Sequence, residues 1–242
     1  MKCYYGIMRR LIFASLLLLG LGSSIGCDKI ISSDVTETSF ALPAKSYSFD
    51  ASMFNVPSSV TQEVPCGDGQ IVTDCCAPPQ PLPQPDCNAN MLTCEQNENG
   101  TNVCMAQVTV SQASPINLGM EVPALSSITG VLTIKIKRIS YAVTANTLSV
   151  DLPDVVLYVA PQGVTDPMDS RAQRFGTLPS IPSMMTPAGD VVLDPNAASA
   201  LAMFTQNIQA PFTFLAAATL KVSHAPTGKI DVTVSGTLAA SL

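Results

Sequence analysis

Two runs near the C-terminus alternate apolar and polar residues with a period of two. In the first, Phe212, Phe214, Ala216, Ala218, Leu220 and Val222 share one side; in the second, Ile230, Val232, Val234, Leu238 and Ala240 do. A helix would scatter these residues around its axis, so each run is a strand with one face turned to a core. Between them, Ala225-Pro226-Thr227-Gly228 has the composition of a hairpin turn, with the glycine supplying a backbone angle that other residues resist.

The same period appears over residues 131–143 (VLTIKIKRISYAV), but in two phases. Leu132, Ile134 and Ile136 hold one phase; Ile139, Tyr141 and Val143 hold the other. The switch at Lys137-Arg138 predicts a β-bulge, whose extra residue returns the second set to the core side. Ala145-Asn146 then reads as a hairpin turn. Leu148, Val150 and Leu152 read as a return strand, interrupted at Pro153-Asp154 and resumed over residues 155–160. Residues 105–110 and 116–122 are further candidate strands. So are residues 44–50, where Tyr47 and Phe49 alternate with Ser46 and Ser48. Residues 161–189 hold Pro161, Pro167, Pro179, Pro182 and Pro187 and read as loop. One short helix is expected over about 195–208, with Asp194 as N-cap and Pro195 in its first turn. Ala197, Leu201, Phe204 and Ile208 share its apolar face, and Pro211 closes it. About seven strands joined by turns define an all-β fold, an antiparallel β-sandwich with one short helix.

Residues 64–104 depart from this pattern. They carry Cys66, Cys75, Cys76, Cys87, Cys94 and Cys104, spaced C-x8-CC-x10-C-x6-C-x9-C, together with the proline run APPQPLPQP. Such a segment has too little apolar periodicity for a core of its own, so disulfides must hold it. More pairings are possible than the spacing can choose among. Adjacent Cys75 and Cys76 are expected to take different partners. The proline run is extended, polyproline-like chain and reads as a stiff spacer rather than a docking motif. Residues 64–104 are therefore a disulfide-rich insertion between a first strand region (44–63) and the main sandwich (105–242), with ends held close by neighbouring strands.

The N-terminus has a different character. Lys2, Arg9 and Arg10 precede an apolar stretch of 12 residues, LIFASLLLLGLG. That is shorter than the ~20 residues that span a bilayer as a helix, and it reads as a cleaved signal peptide over residues 1–26. Its end, Ser24-Ile25-Gly26-Cys27, resembles the lipobox of bacterial prolipoproteins. The resemblance implies lipidation of Cys27, although Ser24 stands where that family carries a large aliphatic residue. Ordinary signal peptidase cleavage at the same bond is the alternative, since Ser24 and Gly26 also satisfy a small-x-small preference. Cysteine parity agrees with lipidation. With Cys3 lost in the signal, Cys27 is the odd thiol beside six that can all pair. Residues 27–43 would then form a lipidated start and a tether, whose first ~12 residues reach ~40 Å when extended.

Loss of the three signal cations takes the net charge from −6 to −9. Residues 28–104 hold ten acids against two bases, and residues 105–242 hold eight acids against seven. No basic stripe exists to displace counterions, which argues against nucleic acid as a partner. The acidity reads as a solvated surface.

Residues 139–161 (ISYAVTANTLSVDLPDVVLYVAP) and 228–236 (GKIDVTVSG) resemble bacterial relatives of the late-embryogenesis-abundant type 2 (water-stress) domain. That resemblance implies a β-sandwich with a binding or protective role and no catalysis. The cysteine-rich segment has no counterpart in that pattern.

Motifs for chemistry are sparse. Gly22-Ser23-Ser24-Ile25-Gly26 fits G-x-S-x-G but lies in the signal, where no strand-turn-helix can present the serine. His224 is the sole histidine, in phase with Leu220 and Val222, and reads as a strand-end residue rather than a base. The cysteines lack C-x2-C spacing for zinc. Asp68, Asp166 and Asp169 lack the alternating ligands of a calcium loop and read as turn residues. Met184-Met185 without His or Cys makes a poor copper site. No catalytic residue, metal ligand or cofactor is therefore expected. The expected protein is a membrane-anchored, non-catalytic lipoprotein of the cell envelope, on the inner or outer membrane and facing periplasm or outside. Without the lipid it would be secreted. Its partners are the membrane, through the N-terminal lipid, and an envelope or extracellular ligand. The alternatives are a structural or stress-protective envelope protein and, third, an envelope hydrolase using His224.

Overall fold

The computed structural model describes residues 37–56, 65–66, 92–97, 99–126 and 133–241. The signal peptide, Cys27, Asp68, Cys75, Cys76, Cys87 and the proline run lie outside them. In chain order the strands are β1 (Thr38–Asp50), β2 (Leu92–Gln96), β3 (Asn102–Ile116), β4 (Thr133–Asn146), β5 (Val155–Pro161), β6 (Gln173–Leu178), β7 (Ala188–Asp190), β8 (Val192–Leu193), β9 (Phe212–Val222) and β10 (Lys229–Ser241). One helix, α1 (Ala197–Thr205), precedes β9. The strands form two antiparallel sheets, ordered β1-β10-β4-β7 and β2-β3-β9-β5-β6-β8. Among the described residues no helix is long and apolar enough to cross a membrane.

The alternating residues fill the space between the sheets. Tyr47, Phe49, Ile139, Tyr141, Val143, Ile230 and Val232 come from one sheet; Val108, Val110, Leu157, Phe175, Phe214 and Leu220 from the other. Each large apolar side chain fully buried there contributes about 1.5–3 kcal/mol. Burial also pushes the Tyr47 phenol well above its ordinary range.

The bulge in β4 falls at Lys137. Arg138 faces Thr237 and Ile136 faces Leu238, leaving Lys137 as the extra residue. Ile134 before it and Ile139, Tyr141 and Val143 after it are all buried, while Lys137 and Arg138 are exposed. Lys137 pairs with Glu37, just ahead of β1, and holds that carboxyl below its usual range. β1 is interrupted too, between Leu42 and Lys45. Pro43, which has no N–H to give a ladder, sits there on an edge strand.

Several connections differ from the sequence expectation. β1 starts at Thr38, so residues 38–43 belong to the sheet and not to a tether. β3 is one long strand ending at Ile116. Residues 118–121 and 123–126, expected in a strand or left unassigned, are helical turns; Asn117 Oδ1 caps the first by accepting Met120 N–H at 3.1 Å. Ala145-Asn146 is no hairpin. β4 pairs with β10 and β7, whereas β5 lies in the other sheet. The Asn146 carboxamide accepts Leu148 N–H and donates to the carbonyls of Pro182 and Met185, turning the chain across the sandwich. Leu148 and Leu152 are buried on that crossing, outside any named strand. The Ala225–Gly228 turn likewise crosses between sheets, since β9 and β10 do not pair. The expected loop 161–189 contains β6, whose Phe175 and Leu178 reach the core between polar neighbours. Helix α1 is shorter than expected. Asn196 is its cap position, and Asp194 instead accepts Asn196 N–H at 2.9 Å in a turn before it.

Candidate functional site

Three places gather chemistry. The first is the base of the cysteine-rich segment, which is built into the six-stranded sheet. β2 pairs with β3 so that Cys94 faces Cys104. On the other side of β3, β9 ends at Val222 opposite Ala106. Beyond that end Pro65 bridges Val103, and Cys66 N–H donates to Asn102 O at 3.0 Å. Cys66 is bonded to Cys94, with Cα atoms 6.1 Å apart. Cys104 is also disulfide-bonded, to a partner outside the described residues. Leu92, Val103 and Cys104 are fully buried. Residues 92–96 and 102–104, expected within the insertion, are thus strands of the sheet. Cys66 and Leu92, which flank residues 67–91 in the sequence, both lie at one corner of the sheet. Lys221 of β9 reaches over to Glu95 of β2 at 2.6 Å and draws its carboxyl below the ordinary range.

A polar cleft of about 580 Å³ opens beside this corner. Asn99, Ser149, Asp151, Ser183, Lys221 and His224 line it. Serine, histidine and aspartate therefore meet in one place, which linear distance conceals. Their hydrogen bonds are local. Asp151 accepts Ser183 N–H at 2.7 Å, Ser149 Oγ accepts Thr227 N–H at 2.9 Å, and His224 Nδ1 lies 3.3 Å from Ser223 Oγ. Among the described residues no carboxylate holds the exposed His224, whereas a hydrolytic triad needs its base oriented by one.

The third is a trough of about 670 Å³ on the outer face of the six-stranded sheet. Its floor crosses three strands, with Val156 of β5 facing Ala217 of β9, which faces Ser111 of β3. Next along, Thr219 faces Thr109, their hydroxyls 2.9 Å apart. Asp166, Pro167 and Met168 form one part of its wall; Pro153, Asp154 and Ser180 form another. The loop carrying Asp166 is tied down by Ser111 Oγ donating to Thr165 O at 3.2 Å and by packing of Val164 on Ala160 and Leu215. The trough is hidden in the sequence because its residues come from three strands and three loops. The available signal was the small and polar character of the outward positions of β3 and β9.

The aspartates of that loop act as turn residues. Asp166 accepts Met168 N–H. Asp169 accepts Arg171 N–H and both ends of its guanidinium, which holds the carboxyl at about 2. Among the described residues no group of three or more His, Cys, Asp or Glu is placed to hold a metal ion. Met184 and Met185 are exposed on the turn before β7.

Compared with protein-family models and with curated proteins, the chain matches none.

Proposed function

We propose that this protein is an exported lipoprotein, anchored through acylated Cys27, whose β-sandwich is a non-catalytic binding module presenting the cysteine-stapled segment. The observation that carries this is the Cys66–Cys94 bond. It brings the start and the end of the segment within 6.1 Å at Cα, on a corner whose Leu92, Val103 and Cys104 are core residues. A loop stapled to a rigid base loses less freedom on binding than a free one. The paired acyl chains of a lipoprotein anchor suffice for stable membrane attachment.

Two measurements test it. The intact mass of the protein from the membrane fraction should equal residues 27–242 plus acyl groups; an unacylated chain refutes the anchor. In the mature chain made without its acyl groups, replacing residues 67–91 by a short Gly/Ser linker, with Cys104→Ala to leave no orphan thiol, should keep the chain folded and abolish the binding to envelope fractions that the unacylated parent shows. If that variant keeps the full biological effect, the sandwich itself acts, as a structural or stress-protective component.

A further inference from the structure

We propose that the trough on the outer face of the six-stranded sheet binds a neutral carbohydrate. None of its lining residues belongs to the stapled segment, so the site goes beyond the function proposed above and fails or survives separately from it.

Charge excludes much. No Lys, Arg or His lines the trough, and neither Asp154 nor Asp166 forms an ion pair with any described residue. Phosphates and acidic sugars would meet two carboxylates and no counter-charge. The hydrogen-bonding groups match a polyol. A sugar hydroxyl both donates and accepts, as do the hydroxyls of Thr109, Thr219 and Ser180, while the carboxylates take up sugar O–H donors in charge-assisted bonds. The Thr109–Thr219 contact uses only one of that pair's two donors. Val156 and Ala217 give the floor an apolar surface for the C–H face of a sugar ring. A cationic amine would find two exposed carboxylates and the Tyr158 ring, whereas exposed carboxylates hold a lone cation weakly and the three hydroxyls of Thr109, Thr219 and Ser180 would go unused. The volume lies within the range of small-ligand sites, and the loop wall is already pinned, so binding requires little ordering.

The test is calorimetric titration of the mature chain with cellotetraose, maltotetraose and N-acetylchitotetraose, each to ~10 mM. At least one should bind, and Asp154→Asn and Thr219→Val should each weaken it by about tenfold. Both residues are exposed, and unchanged melting temperatures will verify that the variants fold. No binding by any of the three overturns the proposal, as does binding that both variants leave unaltered. Saturation by spermidine with no response to the sugars would also overturn it and make the trough a cation site.

Discussion

A Cβ atom on Gly228 would lie 1.9 Å from the Thr147 carbonyl oxygen. The two residues belong to two crossings that close one end of the sandwich. Thr147 N–H donates to Lys229 O at 2.8 Å, Lys229 N–H donates to Thr147 Oγ1 at 3.0 Å, and Ser149 N–H donates to Thr227 O at 3.0 Å. Gly228 also has φ +84°, a left-handed conformation that side chains resist. Gly228→Ala must therefore move a backbone that these four residues hydrogen-bond across or strain it in place. The expected cost is about 2 kcal/mol or more, a fall in melting temperature of at least ~4 °C. An unchanged thermal melt would contradict the packing of these crossings.

Acid should loosen the outer pair of strands in the four-stranded sheet through Asp231. Ser48 Oγ on β1 donates to its Oδ1 at 2.6 Å, and Lys229 Nζ lies 3.0 Å from Oδ2. The serine hydrogen bond, then the lysine, lower the carboxyl below its ordinary range. A depressed folded-state value means that the stabilisation is present above the unfolded value near ~3.9 and is lost as pH falls through the folded one. Ser48→Ala should cost no more than about 1 kcal/mol at pH 7, given the exposure of the pair. The gap between the variant and the parent should close as denaturation is followed into the acid range. A gap of constant size would place the effect elsewhere than on the Asp231 charge.

The Cys66–Cys94 bond closes a loop with a sequence separation of 28. The chain-entropy account gives about 3.5 kcal/mol for a loop of this length. Cys66→Ala with Cys94→Ala should lower stability to chemical denaturant by about 2–4 kcal/mol. It should also raise cleavage of residues 67–91 by added protease, because the corner at Pro65-Cys66 loses its covalent tie. Denaturation at the parent midpoint with unchanged proteolysis would show that the sheet contacts alone hold the corner.

What was legible in the sequence is what burial dictates one residue at a time. Ile230, Val232 and Leu238 had to share a side, and the phase change between Ile136 and Ile139 had to be repaired by an extra residue, which is Lys137. Period two reports which side faces the core but not which sheet supplies the partner. That is why Leu148 and Val222 looked like members of hairpins when their chains instead pass between sheets. β6 was hidden because Phe175 and Leu178 are set among Gln173, Arg174 and Thr177, leaving too few apolar positions to show a period. Cysteine parity pointed to a stapled segment, but the choice of Cys94 for Cys66 depends on Pro65 taking the place beside β3 that β9 vacates. The cleft and the trough were illegible because each joins residues from distant strands and loops.

The cleft beside that corner is where a hydrolase would have to reside, and its hydrogen bonds decide the expectation. A serine becomes a nucleophile when a histidine takes its proton and a carboxylate holds that histidine. Here Ser149 Oγ accepts the Thr227 amide, Asp151 is engaged by the Ser183 amide, and His224 touches only its neighbour Ser223 among the described residues. None of these bonds joins a serine, a histidine and a carboxylate in one chain. A fluorophosphonate probe, which reports activated serines, should therefore leave the folded mature protein unlabelled. His224→Ala should melt within ~1 °C of the parent, as an exposed substitution away from the core does. Labelling at Ser149, Ser183 or Ser223 that disappears in His224→Ala would establish an activated serine and overturn the non-catalytic assignment.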